Sequence, residues 1–428
     1  MVYHIKDFGA VADGKTLNTE AIQKAIDTCF ANGGGQVLVE GGTYMFGTVV
    51  LRSNIELHIA ANATLLGSPR WEDYPERPDV KHVDTAKLPR WRNACYIYCE
   101  DSENISITGM GKIDCNGKSF VRPKKAAKDT THWQYKRIDA PTPPRVVFFA
   151  GCTNVKIQDV TMINQPAGWS YWIHDCDYVA FDRVKIFAEV EYPNNDGIHI
   201  NSSRNVTVSN CDITCGDDSI IVRANNASLA ENKVCEKVSI VNCNLTSYSG
   251  GIRIGWKDDG VIRNCTFSNI VMTDTSVGIN IYLPHFLPDP QKPWTADMGR
   301  EATLIENLSF NNIIMDQVYG EPVRVRIHPD LHTQVKAVRN LYFSNLHARG
   351  PRGIRLEGRA ENHLDNIRFS DCTFEVTDYS AFPDRERHGS EGAEKSHGTY
   401  PRLAYCDRVV FDNVEFRVTT SGETEGCL

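Results

Sequence analysis

The sequence predicts an all-β protein: a single-stranded right-handed parallel β-helix, closed at its amino-terminal end by one α-helix. Short segments with an apolar residue at every second position recur along the chain, and an Asn or Asp follows most of them. Copies include Val155 to Val160, Val179 to Val184, Val206 to Cys211, Val238 to Cys243, Leu308 to Ile313, Leu341 to Leu346, Ile367 to Cys372 and Val410 to Val414. Period-two alternation marks strands with one buried face, and Asn or Asp marks a tight turn after each. Neighbouring copies stand about 22 to 33 residues apart, which is a solenoid coil rather than a hairpin spacing. A β-sandwich would place its turns every 8 to 12 residues or so, without this register.

The helix comes first in the chain. Ile22, Ala25, Ile26, Cys29 and Phe30 share one face at helical spacing, Asn18 or Thr19 can cap the start, and Asn32-Gly33-Gly34-Gly35 ends it. An uncovered solenoid end exposes apolar side chains, so this helix is expected to cover the first coil. The glycine run lacks the Gly-Lys-Ser/Thr of a phosphate loop and reads as a helix stop. Residues 1–428 form one expected domain, with 1–70 as the cap and first coils. Three stretches interrupt the repeat, at about 121–144, 284–301 and 378–402, and are expected to wall a cleft.

Composition narrows the class. The 428 residues are 41% hydrophobic and 23% charged, enough for a large core, and no window approaches the roughly 18 apolar residues of a membrane span. A net charge of −8 argues against nucleic-acid or membrane partners, which select clustered basic faces. Met1 to Gly9 run directly into a strand-like pattern with no signal peptide, so a reducing cytoplasm is the expected location. Cys211, Cys243, Cys265 and Cys372 each follow Asn or Asp and are expected to form a buried ladder of free thiols.

A second register carries the chemistry. Asp196-Gly197-Ile198-His199-Ile200, Asp218-Ser219-Ile220-Ile221-Val222, Gly250-Gly251-Ile252-Arg253-Ile254 and Gly278-Ile279-Asn280-Ile281 read as successive rungs of one strand. Equivalent positions in such a stack lie about 4.8 Å apart, so Asp196 is expected to face the Asp217 and Asp218 pair. Three carboxylates at that distance do not all ionise freely, and a raised carboxyl beside an ionised one is an acid and base pair suited to glycoside hydrolysis. Turn-forming Asp-Gly and Asp-Asp are the bland alternative for each motif alone.

Together the motifs resemble a known family. Asn194-Asn195-Asp196-Gly197, then 21 residues later Gly216-Asp217-Asp218, is similar to the Asn-Thr-Asp and Gly-Asp-Asp signatures of the polygalacturonases, glycoside hydrolase family 28. Asp7-Phe8-Gly9-Ala10 with Asp13-Gly14, the Gly33 to Tyr44 stretch, Pro144-Arg145-Val146 and Asn164-Gln165-Pro166 before Trp169 extend the likeness. The resemblance implies that Asp217 is the general acid and that Asp196 and Asp218 activate water. It also implies inversion, with carboxyl groups roughly 6.5 to 9.5 Å apart, and no metal or cofactor. The implied substrate is a pectin-type oligosaccharide or polysaccharide; separately, an intracellular location, with short imported fragments as substrate, and insertions that close one end of the cleft point to an exo mode of attack. Two departures stand out. Ser249-Gly250-Gly251 replaces Gly-His-Gly, and Asn280-Ile281-Tyr282 replaces the Arg-Ile-Lys that grips a uronate carboxylate. A neutral Asn and Tyr do not replace that grip, so a modified or non-galacturonate residue is an alternative occupant of the central subsite.

Arg253, His199 and Arg223 are expected to face the cleft and supply positive charge, with Asn280 and Tyr282 beside them. Arg324, Arg326 and His328 alternate outward from a later coil. Trp169, Trp172 and His174, one coil before Asp196, are candidates to stack on a sugar, or else core aromatics. Two other classes use such a scaffold: a calcium-dependent polysaccharide lyase with an arginine base, for which Arg223 or Arg253 would serve, and a non-catalytic glycan-binding β-helix.

Overall fold

The computed structural model describes residues 1–88, 93–124, 133–284, 301–329, 334–377 and 401–419. Its strands pair in parallel, coil upon coil, into a 20-stranded and an 11-stranded sheet, with one antiparallel pair, Val121–Pro123 with Tyr135–Arg137. This is a parallel β-helix.

In-register apolar residues explain why the coils stack. One inward column of the 11-stranded sheet runs Ile97, Val147, Tyr171, Ile198, Ile220, Ile252, Ile279, Val323, every member buried. Burial of such a side chain stabilises by about 1.5–3 kcal/mol, and a shift by one residue would turn the whole strand's apolar set outward. In the 20-stranded sheet Phe267, Phe310, Phe343, Phe369 and Phe411 form a continuous pile of rings with centroids 4.6 to 5.3 Å apart. The turns carry a polar counterpart. Asn210, Asn242, Asn269 and Asn312 adopt φ between 54° and 58°. Each of the last three donates its side-chain amide to the Asn one coil earlier, at 2.8 to 3.3 Å. The left-handed backbone suits Asn, and the amide ladder fixes the stacking of the corners.

The helix spans Thr19–Ala31 and buries Ile22, Ala25, Ile26 and Cys29 against the first coils. Phe30 does not join them: it is 46% exposed. Asn18 occupies the cap position, but its side chain caps no helical N–H. It accepts from Val11 N at 2.6 Å and donates to Val11 O and Thr16 O, so it pins the preceding loop instead.

The thirteen cysteines among the described residues are free thiols. The expected ladder divides between two corners. Cys211 and Cys243 are neighbours, and the column continues through Ile270, Ile313 and Leu346. Cys265 lies across from Val238, in a different column, because both corners of the coil use an Asn before an inward residue.

The outward face of the 11-stranded sheet carries the candidate site residues. Over its early rungs this face is covered. Tyr98, Phe148 and Trp172 pack with Val83, Leu88, Cys95 and Leu229 in a small second core. His82 ties down the covering segment with its ring nitrogens against Asp101 (2.5 Å) and Asp175 (3.1 Å). Past Trp172 the same outward column runs His199, Ile221, Arg253, Asn280 and Arg324, polar or charged except for Ile221.

Candidate active site

Asp196 and Asp218 sit at matching positions on adjacent rungs, since Ile198 pairs with Ile220, and Asp217 precedes Asp218 in the chain. One carboxylate oxygen from each of the three lies within 4.8 Å of the others. The side chains are 5% (Asp196), 9% (Asp217) and 8% (Asp218) exposed, a recessed cluster that still meets solvent. This is tighter than the 6.5 to 9.5 Å or so implied for an inverting pair. The cause is geometric: two of the three are sequence neighbours and the third is one inter-strand step away. Beneath them the buried Cys215 thiol, which donates to Asp217 O at 2.9 Å, is pushed far above its ordinary range by burial and by these three carboxylates.

Each member of the Asp pair is held by named donors. Asp217 Oδ2 accepts from Asn194 Nδ2 at 2.9 Å, and Asn194 Oδ1 accepts from Arg137 Nη2 at 2.9 Å. Arg137 also donates through Nε to Ala167 O at 2.7 Å, and Trp133 Nε1 donates to Gly216 O at 2.8 Å. The described part of the 121–144 insertion is therefore joined to the cluster. Residues 285–300 and 378–400, the bulk of the other two expected walls, lie outside the described residues. Ser247 Oγ donates to Asp217 O at 2.6 Å and fixes the backbone from below.

Asp218 Oδ1 accepts from Ser249 Oγ at 3.0 Å and from Gly250 N at 2.9 Å. Gly250 is the position at which the family pattern has histidine. A β-carbon at position 250 would stand 2.6 Å from Asp218 Oδ1, so the backbone donor and the carboxylate fill the place where a side chain would begin. Neither the Arg137–Asn194 relay nor the Ser249 donor was singled out from the sequence. Asn194 was visible in its motif, but its partner comes from an insertion whose fold no periodicity reveals.

The expected binding residues separate into two groups. His199, Arg253, Asn280 and Tyr282 all point outward from the sheet, alternating with the inward Ile200, Ile254, Ile279 and Ile281. Trp169, partly exposed, precedes Asp196 in the same outward column, with its ring 4.8 Å from that of His199. Two expectations are corrected. Arg223 is taken by the fully buried Asp259 through bonds of 2.7, 2.8 and 3.0 Å, so its charge is spent within the fold. His174 is 1% exposed, with Asn201 against Nδ1 and Ser228 Oγ 3.0 Å from Nε2, so it anchors the 225–234 loop instead of meeting a sugar. Burial drives its pKa down to about 3, which leaves the imidazole neutral. Trp172 belongs to the second core, stacked on Phe148 at 4.8 Å with the Arg145 guanidinium 3.8 Å from its ring centroid.

The family model described as glycosyl hydrolases family 28 matches residues 79–345, more than half of the chain and all three aspartates. The chain belongs to glycosyl hydrolase family 28. A second model, rhamnogalacturonase A/epimerase, pectate lyase-like, matches residues 2–81 of this family 28 chain. It is 27% identical over 287 residues to a probable polygalacturonase of Vitis vinifera, covering 64% of this chain and 55% of that protein. To an exo-poly-alpha-D-galacturonosidase of Dickeya chrysanthemi it is 28% identical over 312 residues, covering 65% and 51%. The chain spans about half to two thirds of the length of such curated relatives. Among solved structures, a family 28 exopolygalacturonase of Yersinia enterocolitica superposes with a TM-score of 0.70 at 20% identity, covering 100% of this chain and 79% of that one. The polygalacturonase of Erwinia carotovora superposes with a TM-score of 0.62 at 20% identity, over 85% and 92%. These share the fold of this family 28 chain.

Proposed function

We propose that this protein is an inverting glycoside hydrolase acting on pectin-derived oligosaccharides. The observation that carries the reading is the meeting of Asp196, Asp217 and Asp218 on adjacent rungs, recessed yet still in contact with solvent. In the proposed reaction Asp217 delivers a proton to the glycosidic oxygen as the bond to the anomeric carbon breaks. Asp196 and Asp218 take a proton from a water that attacks the opposite face of the sugar. The close spacing suits this division of labour. Two oxygens that hold one water at about 2.8 Å each stand about 4.5 Å apart. The donors fit as well: Ser249 and Gly250 favour an ionised Asp218, and Asn194 orients Asp217.

We further propose exo attack on short chains, a mode named for the Dickeya chrysanthemi relative. Free thiols throughout the core support action inside a reducing compartment, on imported fragments.

The calcium-dependent lyase reading gains nothing from Arg223, which is committed to Asp259. The deciding experiment is incubation of the full chain with oligogalacturonides and neutral oligosaccharides, with and without chelator. New reducing ends without near-ultraviolet absorbance, unchanged by chelator and abolished by Asp217→Asn, are expected. Unsaturated products that vanish with chelator would replace hydrolysis by elimination, and binding without turnover by the unsubstituted chain would leave a glycan-binding module. Rapid loss of polymer viscosity would overturn the exo mode.

A further inference from the structure

Asn280 is 0% exposed, and neither its Oδ1 nor its Nδ2 has a hydrogen-bond partner in the structure. An amide in this state is costly, because both its donor and its acceptor have left water. The side chain projects outward between the inward Ile279 and Ile281. Its Cβ stands 3.7 Å from the point a β-carbon of Gly250 would occupy, and that same point is 2.6 Å from Asp218 Oδ1. Asn280 is thus a near neighbour of the acidic cluster.

Its partner on the preceding rung is Arg253. This guanidinium is also buried, at 1% exposure. Its hydrogen bonds go to two backbone carbonyls at long distances, Nε to Gly255 O at 3.3 Å and Nη2 to Tyr282 O at 3.4 Å. Two aromatic faces flank it, Trp256 at 4.4 Å and Tyr282 at 5.2 Å. No carboxylate among the described residues forms an ion pair with it. The contrast with Arg223 is informative: one rung earlier, a less enclosed arginine has a buried aspartate of its own. A buried cation normally has an anion beside it.

We propose that Arg253 and Asn280 together receive the carboxylate of a uronic acid residue bound next to the scissile linkage. This assignment rests on the hydrolase reading above. It moves carboxylate recognition from positions 280 and 282, where the family resemblance places an arginine and a lysine, to an arginine one rung earlier. The carboxylate supplies the missing counter-charge to the guanidinium and accepts from Asn280 Nδ2, while Trp256 and Tyr282 keep the cation's faces dry. A neutral sugar, or the methyl ester of the same uronate, supplies no such charge. Arg253 and Asn280 are then specificity-determining residues, distinct from the three aspartates that perform the chemistry.

The test is calorimetric binding to full-length Asp217→Asn protein, which separates recognition from turnover. Trigalacturonate and its fully methyl-esterified form are titrated in turn. The acid is expected to bind about 10-fold tighter or more, and adding Arg253→Met or Asn280→Leu is expected to shrink that ratio to below about 3-fold while ester affinity is retained. Equal binding of acid and ester, or a preference that survives both substitutions, overturns the proposal. Tighter binding of a sulfated oligosaccharide than of the galacturonide overturns the choice of carboxylate. If circular dichroism shows that Arg253→Met does not fold, Asn280→Asp decides: a carboxylate beside the guanidinium should abolish acid preference, and persistence of that preference sinks the idea. A preserved acid preference in a chain that hydrolyses nothing would remove the hydrolase reading and leave this subsite standing.

Discussion

Asn194 Nδ2 donates to Asp217 Oδ2 at 2.9 Å, and the same side chain is gripped from behind by Arg137. The carboxyl assigned to proton delivery therefore takes its orientation from a residue two positions before Asp196 and from an antiparallel strand pair outside the solenoid. Replacing Asn194 by Ala removes the hydrogen bond that orients Asp217, and kcat is expected to fall about 10- to 100-fold with little change in KM. Arg137→Met should give a smaller loss in the same direction. Steady-state kinetics on an oligogalacturonide checks both, and a pure KM effect would assign Asn194 to substrate contact.

Gly250 is the second pressure point. Its φ lies outside the positive range, so the need for glycine comes from space alone: an added β-carbon meets Asp218 Oδ1 at 2.6 Å. Gly250→Ala is expected to push the carboxylate off Ser249 and the backbone amide, lowering kcat at least about 10-fold, with a stability cost of about 1–3 kcal/mol from overpacking. Full activity in this variant would show that Asp218 tolerates displacement and weaken its place beside the water.

Product stereochemistry follows from how the carboxylates divide the work. If Asp196 and Asp218 share one water, the first product seen by NMR carries the anomeric configuration opposite to that of the cleaved bond. Retention would point to a covalent intermediate on one of the three aspartates, the outcome usual for close carboxyl pairs.

His82 predicts a pH dependence of stability. Its hydrogen bond to Asp175 raises its pKa above the ordinary value, burial opposes the shift, and the charge of Asp101 reinforces it. A group whose folded pKa is raised contributes stability fully present below its unfolded pKa, near 6.5, and lost as pH climbs through the folded value. The melting temperature should therefore decline over that alkaline-going window. His82→Gln should flatten this part of the profile, measured by thermal denaturation at closely spaced pH values. An unchanged slope would mean the clasp is not coupled to global unfolding.

The phenylalanine pile gives a prediction independent of catalysis. Phe343 lies between Phe310 at 4.9 Å and Phe369 at 4.6 Å, so Phe343→Ala opens a void with ring faces above and below. A loss of about 3–5 kcal/mol is expected in urea denaturation. A loss below about 1 kcal/mol would show that neighbouring coils close the gap.

The residues explain how far the sequence could be read. Strands, coil spacing and the convergence of Asp196 with Asp218 were legible because each depends on a periodic pattern that one register shift would destroy. Arg223 and His174 were misread because their partners, Asp259 and Ser228, belong to irregular loops whose path is not periodic. Cys265 was misplaced for the opposite reason: two corners of the coil use the same Asn signal, and a local pattern does not say which corner it marks. Phe30 continues the helix's apolar pattern, yet it is left exposed, since periodicity alone does not say how far a helix face is covered.

Asp218 and Arg253 come from adjacent windings, and Asn280 from the one after. Successive windings are spaced by about 4.8 Å, so the solenoid sets these outward side chains at regular steps along its axis. Changing one outward residue then alters a single step of that face, and a lengthened corner loop leaves the spacing itself untouched.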